Sequence, residues 1–264
     1  MKTATAPMII AHRGARTEAP ENTAAAFDAA LRHPIDGIEF DVQLSADGVP
    51  VIFHDDTLSR MTGSRRRLSS LPFSRLRALD LGTWFDPRFA GESILTLEEM
   101  LARYAGITDL YLEIKTSPRD SATGRVAALT EETLAVVKRH YMRVKTRRFH
   151  LLCFDARVLR LARTLMPTVP AMRNVDLPAG LPRAAATPDR LKAEIDTDLT
   201  AVNLAVKLLS PELAAVVRNR GKTLFTYTCN TSQQLRRALA AGVDGVMTDK
   251  PDWLATALAI DRRQ

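Results

Sequence analysis

Two cysteines in 264 residues, Cys153 and Cys229, are too few and too far apart for a disulfide framework or a thiolate metal site. Each lies in an apolar stretch that reads as a strand, so both are expected to be buried free thiols, as in a reducing compartment. Long apolar runs are missing too: no uninterrupted stretch reaches the ~18 residues that a membrane-spanning helix needs. Residues 1–7 carry no basic segment followed by an apolar run, so no secretory signal is expected. The chain therefore reads as cytoplasmic, without stable membrane insertion. Walker loops, Gly-x-Gly-x-x-Gly fingerprints, heptads, zinc-finger spacings and RNA-binding signatures are absent as well. What remains to suggest nucleic acid is a net charge of +7, and a positive balance favours any anion. Arg65-Arg66-Arg67, following Gly63-Ser64, reads as a solvated loop tip, and no nucleic-acid partner is expected.

With 46% hydrophobic and 25% charged residues, the composition is that of an ordinary globular domain. Short β-type runs rich in Val, Ile, Leu and Phe fall at 8–11, 37–44, 110–116, 149–154, 169–175, 201–204, 223–228 and 245–248. Amphipathic helical stretches lie between them, at 22–32, 130–141, 156–166, 211–220 and 232–241. Asn22-Thr23 and Thr231-Ser232 supply N-caps, and Gly221 and Gly242 supply stops. Such alternation calls for parallel strands with crossover helices, and the number of repeats suits a closed (β/α)8 TIM barrel. An open doubly wound sheet has the same pattern but lacks its nucleotide fingerprint here. Residues 49–53 form an extra extended run after the turn composition Ala46-Asp47-Gly48. From 57 to 93 periodicity is lost, which predicts an insertion after the second barrel strand, a rim or lid within one domain spanning 1–264.

Polar residues gather where the apolar runs end, and a barrel builds its site at that mouth. The first run ends in His12-Arg13-Gly14, where Arg13 brings a planar fork suited to phosphate oxygens and Gly14 permits a tight turn. In the second run Glu39 and Asp41, two apart, share one face, while Ile38, Phe40 and Val42 face the helices. Two inward carboxylates repel and resist desolvation unless a metal ion, or a bridging Arg or Lys, offsets them. His54 ends the extra run, and Glu113 and Lys115 alternate with Leu112 and Ile114 in the third barrel strand. Three hard oxygen donors with open positions suit one divalent cation, Mg²⁺ or Ca²⁺. Such a cation would polarise a phosphoryl oxygen, with Arg13 and Lys115 holding the others. Two imidazoles titrating near neutrality can divide the duties of base and acid, which phosphodiester cleavage requires.

Several motifs then occur in order: His12-Arg13-Gly14 with Ala19-Pro20-Glu21-Asn22-Thr23, Gly37-Ile38-Glu39-Phe40-Asp41-Val42-Gln43-Leu44, and Val51-Ile52-Phe53-His54-Asp55. Thr96-Leu97-Glu98-Glu99, Leu112-Glu113-Ile114-Lys115 and the closing stretch from Gly242 to Asp252 follow. Together they resemble the glycerophosphodiester phosphodiesterase family over nearly the whole chain. The resemblance implies a phospholipase-C-like barrel with Glu39, Asp41 and Glu113 as metal ligands and His12 and His54 as the acid–base pair. It also implies attack by the substrate's own glycerol hydroxyl, a cyclic phosphate opened by water, and glycerol 3-phosphate plus an alcohol as products. Tyr227-Thr228-Cys229-Asn230 stands where the family has Trp-Thr-Val-Asn, which makes Tyr227 the aromatic that packs the glycerol. Cys153-Phe154 replaces the family's Ser-Phe, and Lys250 its closing Arg.

The expected partner is thus a small glycerophosphodiester; the sequence is silent on oligomeric state. Rival readings are a lysophospholipase D or sphingomyelinase-D-like enzyme, hinted at by the arginine run and Trp84, and a non-catalytic polyanion-binding protein. Of the remaining polar residues, His33 and His140 read as solvated or capping, and His150 sits at the barrel bottom. Glu21 either orients the mouth or caps the first helix. Trp84, Phe85 and Phe89 read as packing the insertion onto the barrel.

Overall fold

The computed structural model describes residues 6–141, 148–177, 180–182, 185–195 and 199–261; residues 1–5, on which part of the signal-peptide reading rests, lie outside that set. Eight parallel strands close on themselves: β1 (Met8–His12), β2 (Gly37–Leu44), β4 (Asp109–Ile114), β5 (Phe149–Cys153), β6 (Ala171–Val175), β7 (Ala201–Ala205), β8 (Thr223–Tyr227) and β9 (Gly245–Thr248). Closure comes from β1, which pairs with β2 on one side and β9 on the other. The short β3 (Pro50–Ile52) hangs antiparallel from the outer end of β2, with Val42 opposite Ile52. The expected barrel is therefore the observed one, and an open sheet is excluded. Among the described residues no helix is long and apolar enough to cross a membrane.

Capping chemistry sets the helix starts. Thr23 caps Ala24–Ala30 by accepting the Ala26 N–H, and Thr231 caps Ser232–Ala241, which Gly242 ends in the left-handed region at φ 61°. The helix Leu97–Tyr104 was absent from the sequence-derived set, although Thr96 and Glu99 form a capping box that marks it. The helix Arg125–Tyr141 begins five residues earlier than the predicted 130–141.

Inside the barrel, strand alternation builds an apolar floor from Ile10, Tyr111, Leu152, Met172, Phe225 and Met247. Two glycines make room for its aromatic rings. A Cβ on Gly37 would lie 2.6 Å from the Tyr111 ring, and one on Gly245 would lie 2.3 Å from the Phe225 ring. The insertion has a small core of its own: Leu58, Met61, Leu68, Leu71, Leu76 and Leu81 gather around Val51, Phe53 and Ile94. Leucines therefore fasten it to the barrel. The predicted aromatics form an edge-to-face row, Trp84–Phe85 at 5.8 Å and Phe85–Phe89 at 5.7 Å, in which Phe89 reaches the barrel's outer core and Trp84 is exposed.

His150 lies in the floor, as its position at the start of β5 implied. Its ring stacks on Tyr111 at 4.4 Å and 5°, half-buried, with Nε2 lacking a hydrogen-bond partner among the described residues. Burial, aided by the Arg148 charge, pushes the imidazole down to about 4 from its ordinary 6.5. At neutral pH and above, folded and unfolded chains alike hold it neutral. As pH falls from about 6.5 to about 4, the unfolded chain takes a proton that the folded chain refuses, so stability drops across that window. The gap corresponds to about 3 kcal/mol. His150→Phe keeps the stack and removes the titrating group. In urea unfolding, the loss of stability between about pH 7.5 and about pH 4.5 is expected to be about 2–3 kcal/mol smaller in the variant than in the wild type. Equal acid sensitivity of the two proteins would show that the floor does not exclude the charged ring.

Candidate active site

The polar layer sits on this floor, at the C-terminal ends of the strands. His12 ends β1, Glu39 and Asp41 lie on β2, and Glu113 lies on β4; the parallel register sets His12 beside Glu39 and Asp41 beside Glu113. All three carboxylates are buried, and each offers an oxygen within 4.8 Å of the others. His54 follows β3 and Lys115 follows β4, so the predicted ligands, histidines and basic residues meet at one mouth.

The structure gives a direct answer to the question of what offsets the acids. Asp41 is bridged by cations: Arg13 Nε lies 3.0 Å from Oδ2, Lys115 Nζ 3.7 Å from Oδ1, and Asn22 Nδ2 donates to Oδ2 at 2.9 Å. Glu113 accepts from Lys115 Nζ at 2.7 Å and from Asn174 Nδ2 at 2.9 Å. Glu39 has neither lysine nor arginine within ion-pair distance among the described residues. Its Oε2 accepts the Arg13 backbone N–H at 3.1 Å and lies 3.9 Å from His12 Nε2. Burial, then the charges of Asp41 and Glu113, push the Glu39 carboxyl well above the usual carboxylate range. Burial would also raise Asp41, but Arg13 and Lys115 outweigh it and hold that carboxyl far below. Compensation by side chains is therefore partial. Six carboxyl groups, Glu21, Glu39, Asp41, Asp55, Glu113 and Asp249, face four permanent cations, Arg13, Arg16, Arg60 and Lys115, so acidic groups outnumber basic ones at the mouth by two. Among the described residues, Glu39 Oε1 and Asp41 Oδ1 are buried without a hydrogen-bond partner. Excess charge, orphaned oxygens and an all-oxygen donor set together fit a divalent cation that Glu39, Asp41 and Glu113 could hold.

Each histidine is held through Nδ1. His12 Nδ1 lies 2.7 Å from Asp249 Oδ1, and Asn230 Nδ2 fixes the other oxygen of Asp249 at 2.7 Å. His54 Nδ1 lies 2.7 Å from Asp55 Oδ1, and Arg60 clamps Asp55 at 2.8 and 3.1 Å. A carboxylate at Nδ1 keeps the proton there and leaves Nε2 as the reactive nitrogen. Burial, then the nearby Arg13 charge, lower the His12 pKa; the Asp249 hydrogen bond opposes them. Sequence reasoning missed Asp249, Asp55, Asn230 and Asn174 as functional neighbours. Asp55 directly follows His54, so a search for carboxylates beside that histidine would have found it, whereas Asp249 meets His12 across 237 positions and gives no local signal.

The remaining predicted contacts are more constrained than the sequence implied. Arg13 is buried, at φ 60°, with Nε on Asp41 and Nη1 on Glu21 at 2.9 Å. The Tyr227 hydroxyl donates to the Val175 carbonyl at 3.2 Å, and its ring meets Phe154 edge-on at 5.9 Å. Lys115 Nζ lies 5.8 Å from the centre of the Phe154 ring. Glu21 does not cap the first helix; Thr23 does that, and Glu21 receives three guanidiniums instead.

Comparison with known proteins places this geometry. The profile of the glycerophosphoryl diester phosphodiesterase family matches residues 12–253. YhdW of Bacillus subtilis (strain 168) is 32% identical over 246 residues, covering 93% of this chain and 96% of that protein. The glycerophosphodiester phosphodiesterase of Caldanaerobacter subterraneus subsp. tengcongensis is 29% identical over 247 residues, covering 94% and 96%. Among solved structures, an Oleispira antarctica phosphodiesterase in complex with the product sn-glycerol-3-phosphate superposes with a TM-score of 0.81 at 28% identity, covering 96% of this chain and 97% of that one.

The charge imbalance generates a prediction about stability. Because its folded pKa is raised, Glu39 destabilises the metal-free fold once pH rises above the ordinary carboxylate range, as the unfolded chain then releases a proton that the folded chain still holds. Glu39→Gln removes that cost. In chelator at about pH 8, thermal unfolding of the variant is expected above that of the wild type. Excess Mg²⁺ or Ca²⁺ should stabilise the wild type, by about 2.7 kcal/mol at a concentration of ~100 Kd, and the variant far less. A variant that melts lower in chelator and still responds fully to the cation would refute the assignment of excess charge to Glu39.

Proposed function

This enzyme belongs to the glycerophosphoryl diester phosphodiesterase family, and on that footing we propose how its residues cleave a glycerophosphodiester to sn-glycerol 3-phosphate and an alcohol. The observation that carries the reading is the meeting, at one barrel mouth, of three buried carboxylates and two imidazoles whose Nδ1 atoms are tied to aspartates. Glu39, Asp41 and Glu113 hold one divalent cation, Mg²⁺ or Ca²⁺, which supplies Lewis-acid stabilisation of charge on the phosphoryl oxygens when bound.

The protein groups do the rest. With Nδ1–H committed, His12 and His54 each present Nε2; one takes the proton from the attacking glycerol hydroxyl and the other delivers a proton to the leaving alkoxide, and the two then exchange roles as water adds to the cyclic phosphate and opens it to glycerol 3-phosphate. Burial favours the neutral form of His12, which suits it to begin as base. Lys115, between Glu113 and Asp41, and the Nη2 atom of Arg13 bind the phosphoryl oxygens. Because the Tyr227 hydroxyl is occupied by Val175, Tyr227 offers its ring, with Phe154, as an apolar wall for the glycerol carbons.

Glycerophosphocholine should be hydrolysed in the presence of Mg²⁺ or Ca²⁺ and spared in chelator. His12→Ala and His54→Ala should each lower kcat by about 10²–10⁴-fold with circular dichroism and melting temperature close to wild type. Turnover confined to lysophosphatidylcholine would overturn the substrate class, and chelator-resistant turnover would overturn the role of the carboxylates.

A further inference from the structure

Glu21 touches neither imidazole, yet it sits at the centre of the polar network around both. Its Oε1 accepts from Arg13 Nη1 at 2.9 Å and Arg60 Nη2 at 2.7 Å; its Oε2 accepts from Arg60 Nη1 at 2.9 Å and lies 2.8 Å from Arg16 Nη2. The side chain is 1% exposed. Burial would raise its carboxyl, but the hydrogen bonds from Arg60 and the charges of Arg13 and Arg16 hold it below the ordinary range, so it is an anion. Neutralising one carboxylate takes one cation, and here there are three. Each of the three guanidiniums also reaches a second acid. Arg13 Nε meets Asp41 at 3.0 Å, Arg60 clamps Asp55, and Arg16 Nη1 approaches Asp249 at 3.7 Å. Asp55 and Asp249 are the two carboxylates that hold His54 and His12.

We propose that Glu21 is the positioning residue for both histidines: it gathers Arg13, Arg16 and Arg60, and these planar forks fix Asp41, Asp249 and Asp55, so that one buried carboxylate orients the imidazoles and a ligand oxygen together. The proposal rests on the acid–base reading of His12 and His54 given above. Its physical basis is the fork geometry, since a guanidinium pinned on one edge presents its other donors in a fixed plane. It also gives the insertion a function. Arg60 belongs to the insertion helix Ser59–Thr62, whereas Arg13 and Arg16 belong to the loop after β1, so Glu21 ties the two segments across the mouth.

The test combines imidazole ¹⁵N spectra with a mutant cycle on glycerophosphocholine turnover. In wild type both rings should report Nδ1–H. Glu21→Gln, close in shape, should mix the tautomers of both rings and lower kcat by about 10–100-fold, the range for partners that orient a metal or catalytic group, with KM changed less than about threefold. In an Arg16→Ala/Arg60→Ala background the same substitution should cost markedly less than in wild type, because the two arms that reach the histidine-bound aspartates are already gone and only Arg13 remains. Should Glu21→Gln fail to fold, the single arginine variants decide, since those side chains are 27% and 36% exposed and tolerate truncation. Arg60→Ala should then disturb His54 alone, and Arg16→Ala His12 alone. Equal losses in both backgrounds, unchanged ring spectra, or a rise in KM at constant kcat would each overturn the proposal. A wild type inert toward glycerophosphodiesters would instead sink the catalytic reading, with the ring spectra still testing the network.

Discussion

The mouth of this barrel holds more buried negative charge than its own cations neutralise, and most of the local architecture follows from that imbalance. Glu39 is the sharpest expression of it: buried, flanked by Asp41 and Glu113, and without a basic side chain of its own among the described residues. A fold tolerates such a group only if stability comes from elsewhere or a cation arrives. Here stability comes from below. The aromatic and aliphatic floor, with Gly37 and Gly245 cleared to admit the Tyr111 and Phe225 rings, is packed apolar surface immediately beneath the charged layer. The same strands carry both layers, because successive inward positions along a strand step from floor to mouth.

The partial answers to the imbalance are themselves informative. Arg13 and Lys115 are the bridging cations that a carboxylate pair on one strand face would call for in the absence of metal, and both lie at the barrel mouth against Asp41. Arg13 is tied on two sides, to Glu21 and Asp41; Lys115 has one short contact, to Glu113, and stands over the Phe154 ring. The difference separates a charge held between two carboxylates from one held mainly by a single carboxylate. It also explains why Asp41 stays ionised while its neighbour Glu39 resists ionisation: the cations fall on one side of the β2 pair.

Much of this was legible in the sequence, for a physical reason. Strand periodicity of two converts spacing directly into facing, so Glu39, Asp41, Glu113 and Lys115 could be placed on the inner surface without a structure. Closure of the sheet was legible only as a count of repeats, since the pairing of β1 with β9 joins residues far apart in the chain. The second carboxylates were harder. Asp249 reaches His12 across 237 positions, and nothing local in the closing motif says which strand end it will face. The insertion failed differently. Its core is made of leucines spread over short helices and turns, too irregular for a periodic signal, whereas its aromatics are partly buried, Phe89 against the barrel, with Trp84 exposed.

Why the insertion should exist at all can be argued from charge. A barrel mouth built from strand ends alone would leave Asp55 without Arg60, and an aspartate about a quarter exposed to solvent is a loose support for an imidazole. Arg60, brought by the insertion, contacts Asp55 and Glu21 at once and borrows the rigidity of a carboxylate that is fully buried. The insertion's leucine core thus holds a guanidinium in place, and the guanidinium extends order from the barrel interior to its exposed rim. Packing far from the chemistry and orientation at the chemistry are, on this view, two ends of one chain of contacts.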